Sequence, residues 1–294
     1  MFAVAGLSIT TAAQALTYHP RMDKAIWIAE SSVLQCRLTQ PIPAFGQAVF
    51  DHTAGKPLRF YLQSVSNPMA AGKASLKSSP PVWKSDLDLL DLGLVNVHSG
   101  EFPVELEAAL ANRLLAELYQ GKSPGFVRRA WYMGDNAASV DKEAIKVAMS
   151  SVNFHEAYSL YRQCLGRLMP VGFDQLERSK VRFDTDKWEL KDEAISWLNT
   201  IARFVLADPQ VDRVFIDGHT DNIHTTTYNV ELSRKRAGAV VDYLVSRGLS
   251  ANQVTTRYHG ERYPLTSNNT AQGRSENRRV TIRLERLPPR LSQR

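Results

Sequence analysis

The sequence predicts an α+β protein of two domains, a strand-rich N-terminal domain followed by a two-layer βαβαβ sandwich. Three observations carry this reading. The chain has 294 residues, enough for two separate hydrophobic cores. Its first half holds short strand-like runs at 33–38, 47–50 and 58–62, separated by Pro41, Pro43, Gly46 and Gly55, as in a β-meander. Its last third alternates strand-like runs with long amphipathic ones, the pattern of helices laid on one side of a mixed sheet.

Composition narrows the classes. Hydrophobic residues make up 44% and charged residues 22%, as in ordinary globular proteins and unlike disordered or fibrous chains. A net charge of +6 and a pI near 9.3 would admit nucleic acid, but Lys and Arg are scattered and no recognition helix is evident, so no nucleic-acid partner is expected. A polyanionic cell wall favours a basic surface equally well. Residues 1–15 read as the back half of a secretory signal, with an apolar run over 2–9 and Ala13-Gln14-Ala15 as a small-x-small cleavage site. The basic n-region that usually opens such a signal is missing, and Gln35 before Cys36 rules out a lipobox. No other run approaches a membrane span. The expectation is an exported protein that does not span the membrane, with a mature chain from near Leu16.

In the N-terminal domain, 16–168, two cysteines in an exported chain suggest a disulfide between Cys36 and Cys164; the alternative is a pair of buried free thiols. The chain-entropy model gives such a bridge about 4 to 5 kcal/mol as an upper figure. Residues 77–81 read as a polar, proline-containing turn. Over 104–119, Leu106, Ala109, Leu110, Leu114, Leu115 and Leu118 form the stripe of an amphipathic helix. Runs 126–132 and 144–149 read as strands, and 153–168 as a second helix that carries Cys164. His19, His52, His98 and His155 share no metal-ligand spacing.

Residues 169–180, with Pro170 and Gly172, read as a linker into a domain over 181–285. A strand at 181–184 leads to a helix reaching about Leu206, with Leu190, Ala194, Trp197, Leu198, Ile201 and Val205 on one face. A strand through Val214 and Ile216 ends at Gly218. The next helix is expected to start near Asn229, a good cap residue, and to stop at Gly248. Strands at 254–258 and 280–284 follow, and 286–294 reads as a disordered tail. Asp221 at the strand end and Arg236, fifteen residues on, can face one another. Leu232, four before Arg236, shares its helix face. Such a pocket suits a zwitterionic amino acid: Asp221 would take the ammonium and Arg236 the carboxylate.

His219-Thr220-Asp221, Tyr228-Asn229-x-x-Leu232-Ser233-x-x-Arg236-Ala237, His259-Gly260-Glu261, Pro264, Asn269 and the run 273–280 stand in the order of the OmpA-like peptidoglycan-binding family. Residues 181–284 resemble it throughout. The resemblance implies that Asp221 and Arg236 grip the diaminopimelate residue of the peptidoglycan stem peptide, with Asn229, Leu232 and Arg278 lining the site. His224 departs from the family, which usually has glycine there. The run 36–50, CRLTQPIPAFGQAVF, together with the two cysteines, resembles the MotY family of flagellar motor components. That resemblance implies a periplasmic protein at the basal body and outer membrane. Its N-terminal domain would meet basal-body and stator proteins while the C-terminal domain holds the wall, with no cofactor or metal.

Three rival readings stand beside this one. A general OmpA-family wall anchor unrelated to motility would share the C-terminal motif. Asp221 and Arg236 could be a plain structural ion pair. Asp217, His219 and Asp221 alternate and could ligate a metal in a hydrolase, but no further cluster completes the shell and no nucleophile with a base is in frame. Alternation along the last strand would also separate Arg278 from Arg279, leaving at most one of them in the site.

Overall fold

A computed structural model describes residues 16–81, 89–130 and 144–287. The expected signal, Trp131-Tyr132 and most of the expected tail lie outside the described residues. Backbone contacts divide the chain into two compact units after Leu168.

The first unit contains, in order, β1 (Leu16–Tyr18), β2 (Ile28–Ser31), β3 (Gln35–Ile42), β4 (Gly46–Thr53), β5 (Arg59–Ser64), β6 (Gly72–Ser79), β7 (Leu90–Val97), β8 (Val104–Leu106), α1 (Ala108–Tyr119), β9 (Ser123–Arg129), β10 (Ala144–Ala148) and α2 (Phe154–Leu165). The strands form two five-stranded sheets, ordered β2-β3-β4-β5-β8 and β1-β10-β9-β6-β7. Strands β2 to β5 are the expected meander, each antiparallel to the next. Rings join the sheets. Phe50 on β4 meets Phe60 on β5 at 4.8 Å between centroids, and Phe60 stacks on Phe126 of β9 at 5.9 Å. All three are fully buried, where such pairs stabilise by about 0.5–1.5 kcal/mol beyond the burial of their area.

Three expectations change here. Val104 and Leu106 are buried on either side of an exposed Glu105, and this period-2 segment pairs with β5 as strand β8. The helix therefore starts only at Ala108. Residues 77–79, expected in a turn, end strand β6, whose inward side chains are Ala74, Leu76 and Ser78. The second helix stops at Leu165, before the expected Leu168. Cys36 on β3 and Cys164 on α2 form the disulfide, spanning 128 residues. Both cysteines are buried in the core.

The second unit contains α3 (Phe173–Leu176), β11 (Arg178–Arg182), α4 (Asp192–Ala207), β12 (Val211–Gly218), α5 (Thr226–Ser246), β13 (Val254–Tyr258), α6 (Ala271–Asn277) and β14 (Arg279–Arg286). Its sheet order is β11-β14-β12-β13, with β12 and β13 parallel and β14 antiparallel to both β11 and β12. Helix α4 buries Leu198, Ile201, Ala202, Phe204 and Val205; of the rest of the expected stripe, Ala194 and Trp197 are half-buried and Leu190 precedes the helix. Helix α5 ends in a Schellman arrangement: Gly248 takes φ +104° and Leu249 N donates to Leu244 O.

The expected linker is part of this unit, because Leu176 is fully buried and α3 leads directly into β11. Nor does Arg286 belong to a tail. It ends β14 in register with Val211, its guanidinium donates twice to Asp208 at 2.6 and 2.9 Å, and it lies 4.0 Å over the Phe173 ring. The start of α5 also moves. Thr225 is the cap, its hydroxyl accepting from Tyr228 N, so Asn229 sits inside the helix and is buried. No helix among the described residues is long and apolar enough to cross a membrane.

Replacing Cys36 with serine is expected to lower the stability of the first unit by about 2 to 5 kcal/mol, read by chemical denaturation. Dithiothreitol should produce the same loss in the wild-type chain, and equal midpoints for the two proteins without reductant would refute a stabilising bridge.

Candidate functional site

The topology of the second unit brings four chain segments to one end of its sheet. Strands β12 and β13 run parallel and finish side by side, Gly218 beside Tyr258. Antiparallel β14 begins there, Val280 opposite Gly218, and β11 ends there, Arg182 opposite Arg279. The loops after β11, β12 and β13 therefore share a rim with the residues that open β14. Gly218 lets α5 close onto this rim, since a Cβ there would lie 2.2 Å from Ser233 O.

Arg236 projects from α5 into this end and is 0% exposed. Three carbonyl oxygens receive its N–H groups: Lys187 from Nε at 2.8 Å, Asp184 from Nη2 at 2.9 Å and His219 from Nη1 at 3.1 Å. Its guanidinium also lies 5.4 Å from the Phe183 ring centroid. Burial brings its pKa down to about 10, opposed by the nearby Asp221 carboxylate, so it stays charged at neutral pH. Asp221 is 4% exposed. Its Oδ2 accepts from Arg278 Nη1 at 2.9 Å, while Arg278 Nε donates to Phe183 O at 3.2 Å. One carboxylate and two guanidiniums thus belong to a network closed through the backbone of residues 183–187 and 219.

Both charges sit at this end of the sheet, as the spacing anticipates, but Asp221's direct ion-pair partner is Arg278 rather than Arg236. Arg279 turns away to donate to Asn277 O and Tyr263 O, so the two neighbouring arginines do serve different places. Leu232 is a buried core side chain. Asn229 Nδ2 donates to His224 O at 3.0 Å and to a Glu261 carboxylate oxygen, whose partner oxygen receives Thr226 Oγ1 at 3.0 Å. Asn229 Oδ1 and Thr220 Oγ1 are buried without a protein partner. His224 packs its ring against Tyr228, whose hydroxyl donates to Asp186. Sequence reasoning missed Asp184 and Lys187, which act through carbonyl oxygens, and it quoted Glu261 in a motif without giving it a role.

A second polar cluster backs the first. Asp217 accepts from Arg257 at 2.6 and 3.1 Å and lies 3.1 Å from His259 Nε2. Burial pushes the Asp217 carboxyl up, but the hydrogen bonds from Arg257 and His259 outweigh it and hold the pKa below the usual range. His219 stacks on His259 at 5.0 Å. Burial first, then the Arg279 charge, bring the His219 pKa down to about 4. Asp217, His219 and Asp221, considered above as metal ligands, are thus divided between these two clusters.

Comparison with known proteins adds family to geometry. Residues 18–170 match the MotY N-terminal domain and residues 182–278 the OmpA family. The chain is 28% identical over 255 residues to a sodium-type flagellar protein MotY of Vibrio parahaemolyticus, covering 86% of this chain and 84% of that one. It is 41% identical over 102 residues to outer membrane protein A of Bordetella avium, covering 35% of this chain and 52% of that protein. Among solved structures, the peptidoglycan-associated lipoprotein of Burkholderia pseudomallei superposes with a TM-score of 0.35 at 28% identity, covering 36% of this chain and 89% of that one. Sheet, helices and strand-end charges define a protein whose C-terminal unit is an OmpA-type domain, joined to a disulfide-closed, strand-rich unit. The chain belongs to the MotY N-terminal domain family.

The depressed His219 pKa sets a pH dependence. An unfolded histidine protonates near pH 6.5, but folded His219 does so only near 4. Between these values the unfolded chain binds more protons, so the stability from a neutral buried imidazole is complete above 6.5 and is lost as pH falls toward 4. His219→Asn is expected to shrink the drop in denaturant midpoint between about pH 7 and pH 4.5. An unchanged drop would show that other groups carry it.

Proposed function

We propose that this protein is a noncatalytic, periplasmic component of the flagellar motor that holds peptidoglycan through its C-terminal unit. In this reading the ligand is the diaminopimelate residue of the stem peptide. The N-terminal unit meets basal-body and stator proteins on the outer-membrane side of the periplasm. Family membership supports the motor setting.

One observation carries the wall contact: a buried carboxylate and two buried or half-buried guanidiniums share a network at the loop end of the sheet. A guanidinium has five N–H donors, and three of those on Arg236 are taken by carbonyls. The remaining two suit a ligand carboxylate, and Asp221 suits the ammonium beside it. Arg278 pairs with Asp221 and fixes its orientation, Asn229 fixes the loop at His224, and Leu232 packs beneath. Charge-assisted bonds contribute about 1.5 to 3 kcal/mol each when well formed. Wall polymers repeat the ligand, so several copies in one assembly would multiply modest contacts into firm attachment. A stator needs that attachment, because torque on the rotor produces an equal reaction on the stator.

Asp221→Asn keeps the shape of the site and removes its anion. It is expected to weaken cosedimentation with purified sacculi by roughly ten-fold or more while the circular dichroism spectrum is preserved. Arg236→Met should do the same with some loss of stability. Undiminished pelleting of both variants would end the assignment. Cells lacking the gene are expected to keep their filaments and lose swimming; normal swimming would instead favour a general wall anchor.

A further inference from the structure

The first unit contains a cleft of about 940 Å³ where the start of β4 and the end of β5 meet the turn between β7 and β8. Nothing in the wall-binding site involves it. A ladder of planar polar groups crosses one wall. Gln47 on β4 and Gln63 on β5 are cross-strand partners, and Gln47 Nε2 donates to Gln63 Oε1 at 2.6 Å. Gln63 Nε2 in turn donates to Glu101 Oε1 at 2.6 Å. Each group is held by its neighbour and still has hydrogen-bonding capacity toward the cleft: the Gln47 carbonyl, the second hydrogen of each amide and the other Glu101 oxygen.

The backbone underneath is built closely. Gly46 has φ +145°, and a Cβ there would lie 2.0 Å from Gln63 O. Only glycine lets β4 start this close to β5, which brings the two glutamines together. Asn67 is fixed by its own bond to His98 O at 3.1 Å. At the rim Val65 is 93% exposed, although its N–H is tied to Phe45 O at 3.0 Å. An apolar side chain is thus presented to solvent on a pinned backbone beside the amides.

The lining narrows the ligand. Among the described residues it includes no lysine, arginine or histidine. The guanidinium of Arg128, which reaches Ala71 in that lining, is taken up by the carbonyls of Ala70, Ala71 and Lys73, so the lining offers no free cation to an anion. Its one carboxylate, Glu101, is already shared with Gln63 and is too little to hold a metal cation. Amides and hydroxyls both donate and accept, as sugar hydroxyls do, and Val65 offers apolar surface to the C–H face of a sugar ring. We infer that this cleft binds an uncharged glycan bearing hydroxyl and acetamido groups. The cleft's chemistry stands alone; naming the cell wall's own glycan as the ligand rests on the function proposed above. On that reading the two units hold the sugar and the peptide of one polymer, and each raises the effective concentration of the other's ligand.

The test uses the full chain and a β-1,4-linked tetramer of N-acetylglucosamine, followed by NMR titration. Saturable binding on the order of 1 mM is expected, with shifts at Gln47, Gln63 and Glu101. Gln63→Ala and Glu101→Ala, checked for unchanged melting temperature, should each weaken it at least about five-fold, whereas Asp221→Asn should leave it unchanged. No saturation up to about 10 mM tetramer, or equal affinity in both cleft variants, overturns the inference. If the tetramer binds this cleft while Asp221→Asn leaves sacculus binding intact, the glycan site stands and the assignment of the peptide pocket falls.

Discussion

Arg236 ranks first by volume among the fully buried side chains of the described chain, and the loop end of the second unit is arranged around its charge. A guanidinium taken from water into a protein interior costs several kcal/mol unless its N–H groups find acceptors. Here the acceptors are main-chain oxygens of Asp184, Lys187 and His219. Two loops remote in sequence are therefore held by one side chain, which can reach them because Gly218 admits α5 against the sheet. The same bonds leave the charge largely uncancelled, with Asp221 close by and itself tied to Arg278. A charged group that is both fixed and dry is suited to recognising another charge, because its orientation does not have to be established when the ligand arrives.

The Asp217 cluster fills a different role. Arg257 on β13 and His259 just after it keep Asp217 ionised, and the imidazole of His259 stacks on that of His219. Asp217, on β12, is paired with Arg257 and His259, whereas Asp221, in the loop after β12, is paired with Arg278, so the two carboxylates do different work.

The sequence reveals most where a side chain both makes the fold and carries a chemical signature. Apolar periodicity marked α4, Gly248 marked the end of α5, and the charged motif placed Asp221 and Arg236 at one end of the sheet. It reveals least where the backbone does the work. The carbonyls of Asp184 and Lys187 leave no mark on residue identity. Asn229 looked like a helix cap because asparagine caps well, yet Thr225 supplies the hydroxyl and Asn229 bonds to His224 O and Glu261 instead. In the first unit β6 was hidden because its buried face is built from Ala74, Leu76 and Ser78, which leave a weak apolar pattern. Arg286 looked like tail because its partners, Asp208 and Phe173, are distant in the chain.

The position of the Cys36–Cys164 bond determines how the first unit would bear a pull. Tension entering from the second unit passes through Leu168 and reaches Cys164 within one helical turn. There a covalent bond carries it across to β3, a strand with a neighbour on either side. The segments enclosed between the two cysteines, including α1 and strands β4 to β10, are bypassed. A steady load would be borne by a sulfur bridge and the middle of a sheet, and α2 could not be peeled away ahead of the rest.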